Sequence, residues 1–153
     1  MMLQDTYDSP IGVLYMVTEG DCLVWLNFTP RDQVQIRKSS YSNIVKKALD
    51  DYFFHSQKIH ELNIEPHGTP FQKGVYQALN HVPYGQTISY QMLAKRIGKP
   101  HAARAVGGAL NKNPIMIFIP CHRVIGKNGH LTGFGGGLPA KQFLLALEAK
   151  SML

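Results

Sequence analysis

Acidic side chains are almost missing from the second half of this chain. Residues 69–153 carry ten Lys/Arg against one carboxylate, Glu148, and residues 1–68 carry six against nine, so the formal charge of +6 is the sum of plus nine and minus three. A surface that basic suits a polyanion, nucleic acid first and an anionic membrane second; a merely solvated face is the plainer alternative. Cysteine is scarce too. Cys22 and Cys121 are the whole supply, too few for a disulfide framework, and without a secretory leader they read as free thiols of a reducing compartment. His55, His60 and His67 lack the thiol partners and rhythm of a zinc site, so no metal is expected. No apolar run approaches bilayer length, and Met1-Met2-Leu3-Gln4-Asp5 lacks the basic-then-apolar pattern of a signal peptide. The expectation is a cytoplasmic protein, with 153 residues enough for one substantial core or two small ones.

What is present begins with turn chemistry at Asp8-Ser9-Pro10-Ile11-Gly12. Two β-rich runs follow, Val13–Thr18 and Cys22–Phe28, joined through Glu19-Gly20-Asp21 as a hairpin. From Ser42 the apolar residues Ile44, Val45, Ala48, Leu49 and Tyr52 recur at helical spacing. His67-Gly68-Thr69-Pro70 breaks that pattern and starts a new helix, with Thr69 as cap and Pro70 in the first turn. The domain boundary is expected here, where the charge changes sign: residues 1–68 as a small N-terminal α/β domain with a hairpin or sheet, residues 69–153 as a mainly helical C-terminal domain.

In that second part Phe71, Val75, Leu79 and Val82 form one helical stripe, ended by Pro83-Tyr84-Gly85. Ser89 is an N-cap for a helix through Tyr90, Leu93, Ala94 and Ile97, which Gly98 stops. A third short helix, His101–Leu110, places alanines and glycines around one arginine, Arg104, and the pair reads as a helix-turn-helix. Its small residues serve either close packing on a neighbouring helix or close approach to another surface. Ile115–Ile119 reads as a buried strand stopped by Pro120, delivering Cys121, His122 and Arg123 in succession. Cys121 is there either a nucleophile or a packed thiol. Thr132–Gly137 is a Gly-rich loop without the lysine of a P-loop. A last helix, Pro139–Lys150, is expected to bury Phe143, Leu144 and Leu147, with Lys141 and Lys150 solvating it rather than touching phosphate, the second reading for each. The fold class is therefore α+β, with a short strand leading to Cys121.

Pro120-Cys121-His122-Arg123-Val124, with Ile88-Ser89-Tyr90, Ala102–Ala109, Asn113-Pro114 and the Gly-rich loop, resembles the O6-alkylguanine-DNA alkyltransferases, also called methylated-DNA–protein-cysteine methyltransferases. The resemblance runs from about Thr69 to Glu148 and is loose before that. It implies direct, stoichiometric transfer of an alkyl group from O6-alkylguanine in DNA, and from O4-alkylthymine, to Cys121, with no cofactor. It implies a water-mediated relay of Cys121, His122 and Glu148, a proton donor in Tyr90 and a support for the cysteine loop in Asn113. Arg104 is implied to enter the vacated base stack while Ala102, Ala103, Ala105 and Gly107 lie in the minor groove beside Tyr90 and Arg123, with weak sequence selectivity. Val124, Phe134, Gly135 and Gly136 are implied to line the base pocket. Where many members have tyrosine and serine, this chain has Phe134 and Gly135, so those hydroxyl contacts are not carried over and a roomier pocket is expected. The structural zinc of some members is not carried over either. The implied partner is duplex DNA, bound by a monomer, with no membrane. Three other readings are a lesion sensor without transfer, whose known members lack the cysteine, a transcription regulator and a cysteine hydrolase.

Overall fold

The structure is a computed structural model that describes residues 1–55, 62–129, 131, 134 and 136–151. It separates into two compact units, Met1–His67 and Gly68–Leu153. The architecture is α+β: among the described residues, a sheet with one helix in the first unit and a mainly helical second unit.

In the first unit, β1 (Met2–Ser9), β2 (Gly12–Glu19) and β3 (Cys22–Asn27) form an antiparallel meander, and the two-residue β4 (Gln35–Ile36) adds parallel to β1, giving the order β3-β2-β1-β4. The expected hairpin is β2–β3; Gly20 takes the left-handed turn position at φ 58° that a side chain would resist. β1 had no signature in the sequence because it buries Gln4, Asp5 and Tyr7 rather than alternating apolar residues. Helix α1 (Ser40–Phe54) covers the sheet with Val45, Ala48, Leu49 and Tyr52, all fully buried or nearly so. Ser39 and Ser42 close a capping box at its start.

The second unit starts as read. Thr69 caps α2 (Pro70–Leu79) with Pro70 in the first turn, and Gln72 completes the box. Ser89 caps α3 (Tyr90–Arg96), and Gly98 follows it at φ 76°. Helix α4 (Ala103–Asn111) begins two residues later than the expected His101, with Ala102 outside it as the cap. α2, α3 and α4 pack on one another around Val75, Leu79, Leu93 and Val106, and Tyr76 Oη donates to the Ala109 carbonyl at 2.8 Å, tying α4 to α2. Strands β5 (Ile88–Ser89) and β6 (Val124–Ile125) pair in parallel, and α5 (Leu138–Ser151) ends the unit. Among the described residues no helix is long and apolar enough to cross a membrane.

Candidate active site

The expected strand over Ile115–Ile119 does not form. The run folds back on itself: Ile119 N donates to Ile115 O at 3.0 Å, Phe118 N to Met116 O at 2.8 Å, and Ile117 sits at φ 72°. A β-branched residue in the left-handed region costs about 1–2 kcal/mol, so something must hold it. Asn113 does. Its Oδ1 accepts from Ile115 N at 3.0 Å and its Nδ2 donates to Ile119 O at 2.9 Å, clamping both ends of the turn. An apolar run fixes burial but not the presence of a neighbouring strand, which is why the period-free pattern misled. Pro120 then begins a short 3-10 helix, Cys121–Arg123, which brings three consecutive polar side chains inside the protein.

Those side chains meet the lone carboxylate of the second half. His122 Nε2 lies 2.5 Å from Glu148 Oε2, Arg123 Nε donates to Oε1 at 2.8 Å and Nη2 to Oε2 at 3.1 Å, and Gly85 N adds a fourth bond to Oε1 at 3.1 Å. Burial pushes the Glu148 carboxyl up, but the hydrogen bond from His122 and the Arg123 guanidinium outweigh it and bring the pKa to about 2. Burial pushes the imidazole of His122 down, against the pull of Glu148, so the ring is neutral at neutral pH. A neutral ring facing an ionised carboxylate must carry its proton on Nε2. Nδ1 is then a lone pair, buried and without a hydrogen-bond partner in the protein.

Arg123 is not the DNA contact the sequence suggested. It is 5% exposed, donates from its third nitrogen, Nη1, to Val82 O at 2.9 Å and stacks over Tyr84, so it serves as the internal counter-ion of Glu148. Lys141 is also corrected. Expected on the solvated side of α5, it is 1% exposed and donates to Val124 O at 2.6 Å. The buried stripe of α5 is Ala140, Lys141, Leu144 and Glu148, while Phe143 is exposed and Leu147 only half-buried. The only sequence signal for Lys141 was its spacing to Glu148, seven residues along one helical face.

Cys121 sits among these groups, buried. Burial pushes its thiol up to about 11, and Asn113, the Lys141 charge and the backbone N–H groups of Cys121 and His122 only partly offset this. The resting group is therefore a thiol with a base next to it. Val124 is fully buried and belongs to β6; Phe134 and Gly136 are half-buried, and Gly135 lies outside the described residues.

Tyr90, half-buried, opens α3. Across from it on α4 lies Gly107, where an added Cβ would meet the Tyr90 ring at 3.7 Å, an ordinary contact; at Gly108 it would meet nothing within 4 Å. Packing inside the unit therefore requires neither glycine. Arg104 and Ala105 are exposed, and Ala102 and Ala103 half-buried. Among the described residues no group of three or more His, Cys, Asp or Glu could hold a metal ion.

The chain is similar to known proteins over nearly its whole length. The family model for the DNA-binding domain of 6-O-methylguanine DNA methyltransferase matches residues 70–150. A methylated-DNA–protein-cysteine methyltransferase of Methanosarcina acetivorans is 43% identical over 148 residues, 93% of this chain and 95% of that protein. A constitutive one of Bacillus subtilis is 39% identical over 94% of this chain and 93% of its own length. The crystal structure of Mycobacterium tuberculosis O6-methylguanine methyltransferase superposes with a TM-score of 0.90 at 40% identity, covering 99% of this chain and 94% of that one. The same organism's OGT in complex with DNA gives 0.91 at 42% identity over 97% and 94%. With matches of that extent over both units, the chain belongs to the methylated-DNA–protein-cysteine methyltransferases, DNA-repair enzymes that transfer an alkyl group to a protein cysteine.

Proposed function

We propose that this protein takes the alkyl group from O6 of guanine, and from O4 of thymine, in duplex DNA onto Cys121 Sγ. The observation that carries the reading is the buried His122, held by Glu148 with its Nδ1 unpartnered, directly following a buried thiol in the chain. The thiol proton passes through a water to His122 Nδ1. The thiolate attacks the alkyl carbon; the S–C bond forms as the C–O6 bond breaks, and Tyr90 donates a proton towards N3 of the departing guanine. The proton held by His122 returns through solvent to Tyr90, so the sum is one thiol proton exchanged for one alkyl group. Among the described residues no group in the site offers a route back from the thioether, so one molecule repairs one lesion, without a cofactor. Asn113 keeps the cysteine turn in place, and Val124, Phe134, Gly135 and Gly136 line the base.

The O6 of a stacked guanine is out of reach, so the nucleotide must be extruded at a cost on the order of a few kcal/mol. Arg104, exposed on α4, takes the vacated place in the stack. Ala102, Ala103, Ala105 and Gly107 form the slim face that enters the minor groove. Support for that face comes from the two glycines that internal packing does not require. Phosphate contacts then dominate, so selectivity for flanking sequence is weak and binding weakens with salt. In this reading residues 69–153 carry DNA binding and transfer, residues 1–68 are structural, and the protein acts as a monomer in the cytoplasm. The test is the intact mass after incubation with a duplex containing O6-methylguanine. The expected result is one added methyl group located on Cys121 and lost in Cys121→Ala; an unchanged mass, or a gain that survives the substitution, refutes the reading.

A further inference from the structure

Helix α4 is fastened at one end only. Its start has no side-chain cap: Ala102 offers none, Ala103 is half-buried, and Arg104 and Ala105 are exposed. Its buried residues, Val106, Ala109 and Leu110, all lie in the later turns. There the backbone tightens, with Lys112 N donating to Ala109 O at 3.1 Å and Asn113 N to Leu110 O at 3.1 Å, three residues back rather than four. Tyr76 Oη, from α2, donates to the same Ala109 carbonyl at 2.8 Å in the interior. One end of the helix is open to a partner and the other is bolted to its neighbour.

The bolted end is also where the thiol hangs. Asn113, just past α4, clamps Ile115 N and Ile119 O, and Ile119 O accepts from Cys121 N as well, at 2.7 Å. Tyr76 is 1% exposed, and the transfer chemistry above gives this buried phenol no part. Burial pushes its hydroxyl up to about 12, and the charge of a Cys121 thiolate adds to the rise, so ring and thiol stand within electrostatic reach of each other. At neutral pH the hydroxyl keeps its proton and remains a donor. DNA loads the opposite end: a duplex that resists unstacking pushes back through Arg104 on the first turn of α4. A helix is a rigid element, so a load on its start moves its finish unless the finish is held. Displacement at carbon tolerates little drift of Sγ, because a misplacement on the order of 1 Å costs rate heavily.

We propose that Tyr76 is a positioning residue for alkyl transfer in duplex DNA: its bond to Ala109 O holds the thiol's end of α4 still while DNA loads the Arg104 end. Tyr76 acts through Asn113 and the turn that carries Cys121, not on the alkyl group. The inference rests on the function proposed above, including the place of Arg104 in the stack.

The test uses the full chain and two alkyl donors, the free base O6-benzylguanine and a duplex containing O6-methylguanine. Tyr76→Phe keeps the ring and removes the hydroxyl, and Ala109 O retains its bond from Lys112 N, so no buried carbonyl is left bare. At saturating duplex, single-turnover methylation of Cys121 is expected to slow roughly fivefold, as for one lost hydrogen bond, while the DNA concentration that gives half the maximal rate stays that of the wild type. Labelling by the free base, which puts no load on α4, is expected to keep its rate. In an Arg104→Ala background, where the push on the helix is gone, Tyr76→Phe is expected to add no further loss on the duplex. Duplex repair by Tyr76→Phe at the wild-type rate overturns the inference. So does an equal loss with the free base, which would make the hydroxyl a support of the thiol at rest, or the same loss on top of Arg104→Ala. If the wild type gains no alkyl group from either donor, the function itself has failed, a different outcome from any of these.

Discussion

Both units bury carboxylates against cations, and they use them differently. In the first, Asp5 accepts from Thr6 N at 2.8 Å and Ser42 Oγ at 3.0 Å and pairs with Lys46 at 2.9 Å, a cation that keeps a quarter of its side chain in solvent. Burial raises the Asp5 carboxyl, yet those bonds leave it below its ordinary value. Gln4 in the same strand holds Arg31 N and the carbonyls of Arg31 and Val34. Apart from the bond within the strand to Thr6 N, they fasten strand β1 to helix α1 or to the 31–34 loop. In the second unit, Glu148 and its partners are sealed from water, His122 keeps an unpartnered ring nitrogen, and Cys121 carries a thiol raised to about 11. One network completes a fold. The other leaves reactive capacity unspent, which is what a site gives up stability to keep.

The sharpest way to test that contrast is to break each network at its charge. Glu148→Gln leaves the Arg123 guanidinium buried without its counter-ion, and denaturant unfolding should show a loss of about 3–5 kcal/mol; a loss below about 1 kcal/mol would make the two networks equivalent. Acid should find the same weakness. The Glu148 carboxyl stands at about 2 in the folded chain against 4.5 as the reference value, so the folded state binds fewer protons. Its contribution is fully present above pH 4.5 and disappears as pH falls through about 2, on the order of 3 kcal/mol. Urea titrations over that range should be flatter for Glu148→Gln than for the wild type. Asn113→Ala removes both clamps from the Ile115–Ile119 turn and should cost about 2 kcal/mol, with slower labelling of Cys121 by free O6-benzylguanine. Lys46→Ala, which removes a cation that keeps a quarter of its side chain in solvent, should cost at most about 1 kcal/mol and leave that labelling rate unchanged.

Much of this fold could be read from local signals. Thr69-Pro70 and Ser89 mark helix starts because their side chains satisfy exposed backbone N–H groups, a purely local requirement. Glu148 was identifiable because no other carboxylate in its half could meet the cations around Cys121. What stayed hidden depends on partners distant in sequence. β1 buries Gln4 and Asp5 because α1 and the 31–34 segment receive them. The Ile115–Ile119 run turns because Asn113 bonds both its ends, and Lys141 and Arg123 leave the solvent because the carbonyls of Val124 and Val82 accept from them. Phe143 loses the inner face of α5 to a lysine, an outcome that hydrophobic periodicity ranks the other way.

The central claim, that Cys121 is a consumed acceptor rather than a recycling nucleophile, is tested most directly by counting. With duplex O6-methylguanine in excess over protein, repaired lesions should rise and stop at one per molecule, with every molecule alkylated at Cys121. Repair that continues past one lesion per molecule, at any rate, would contradict the account.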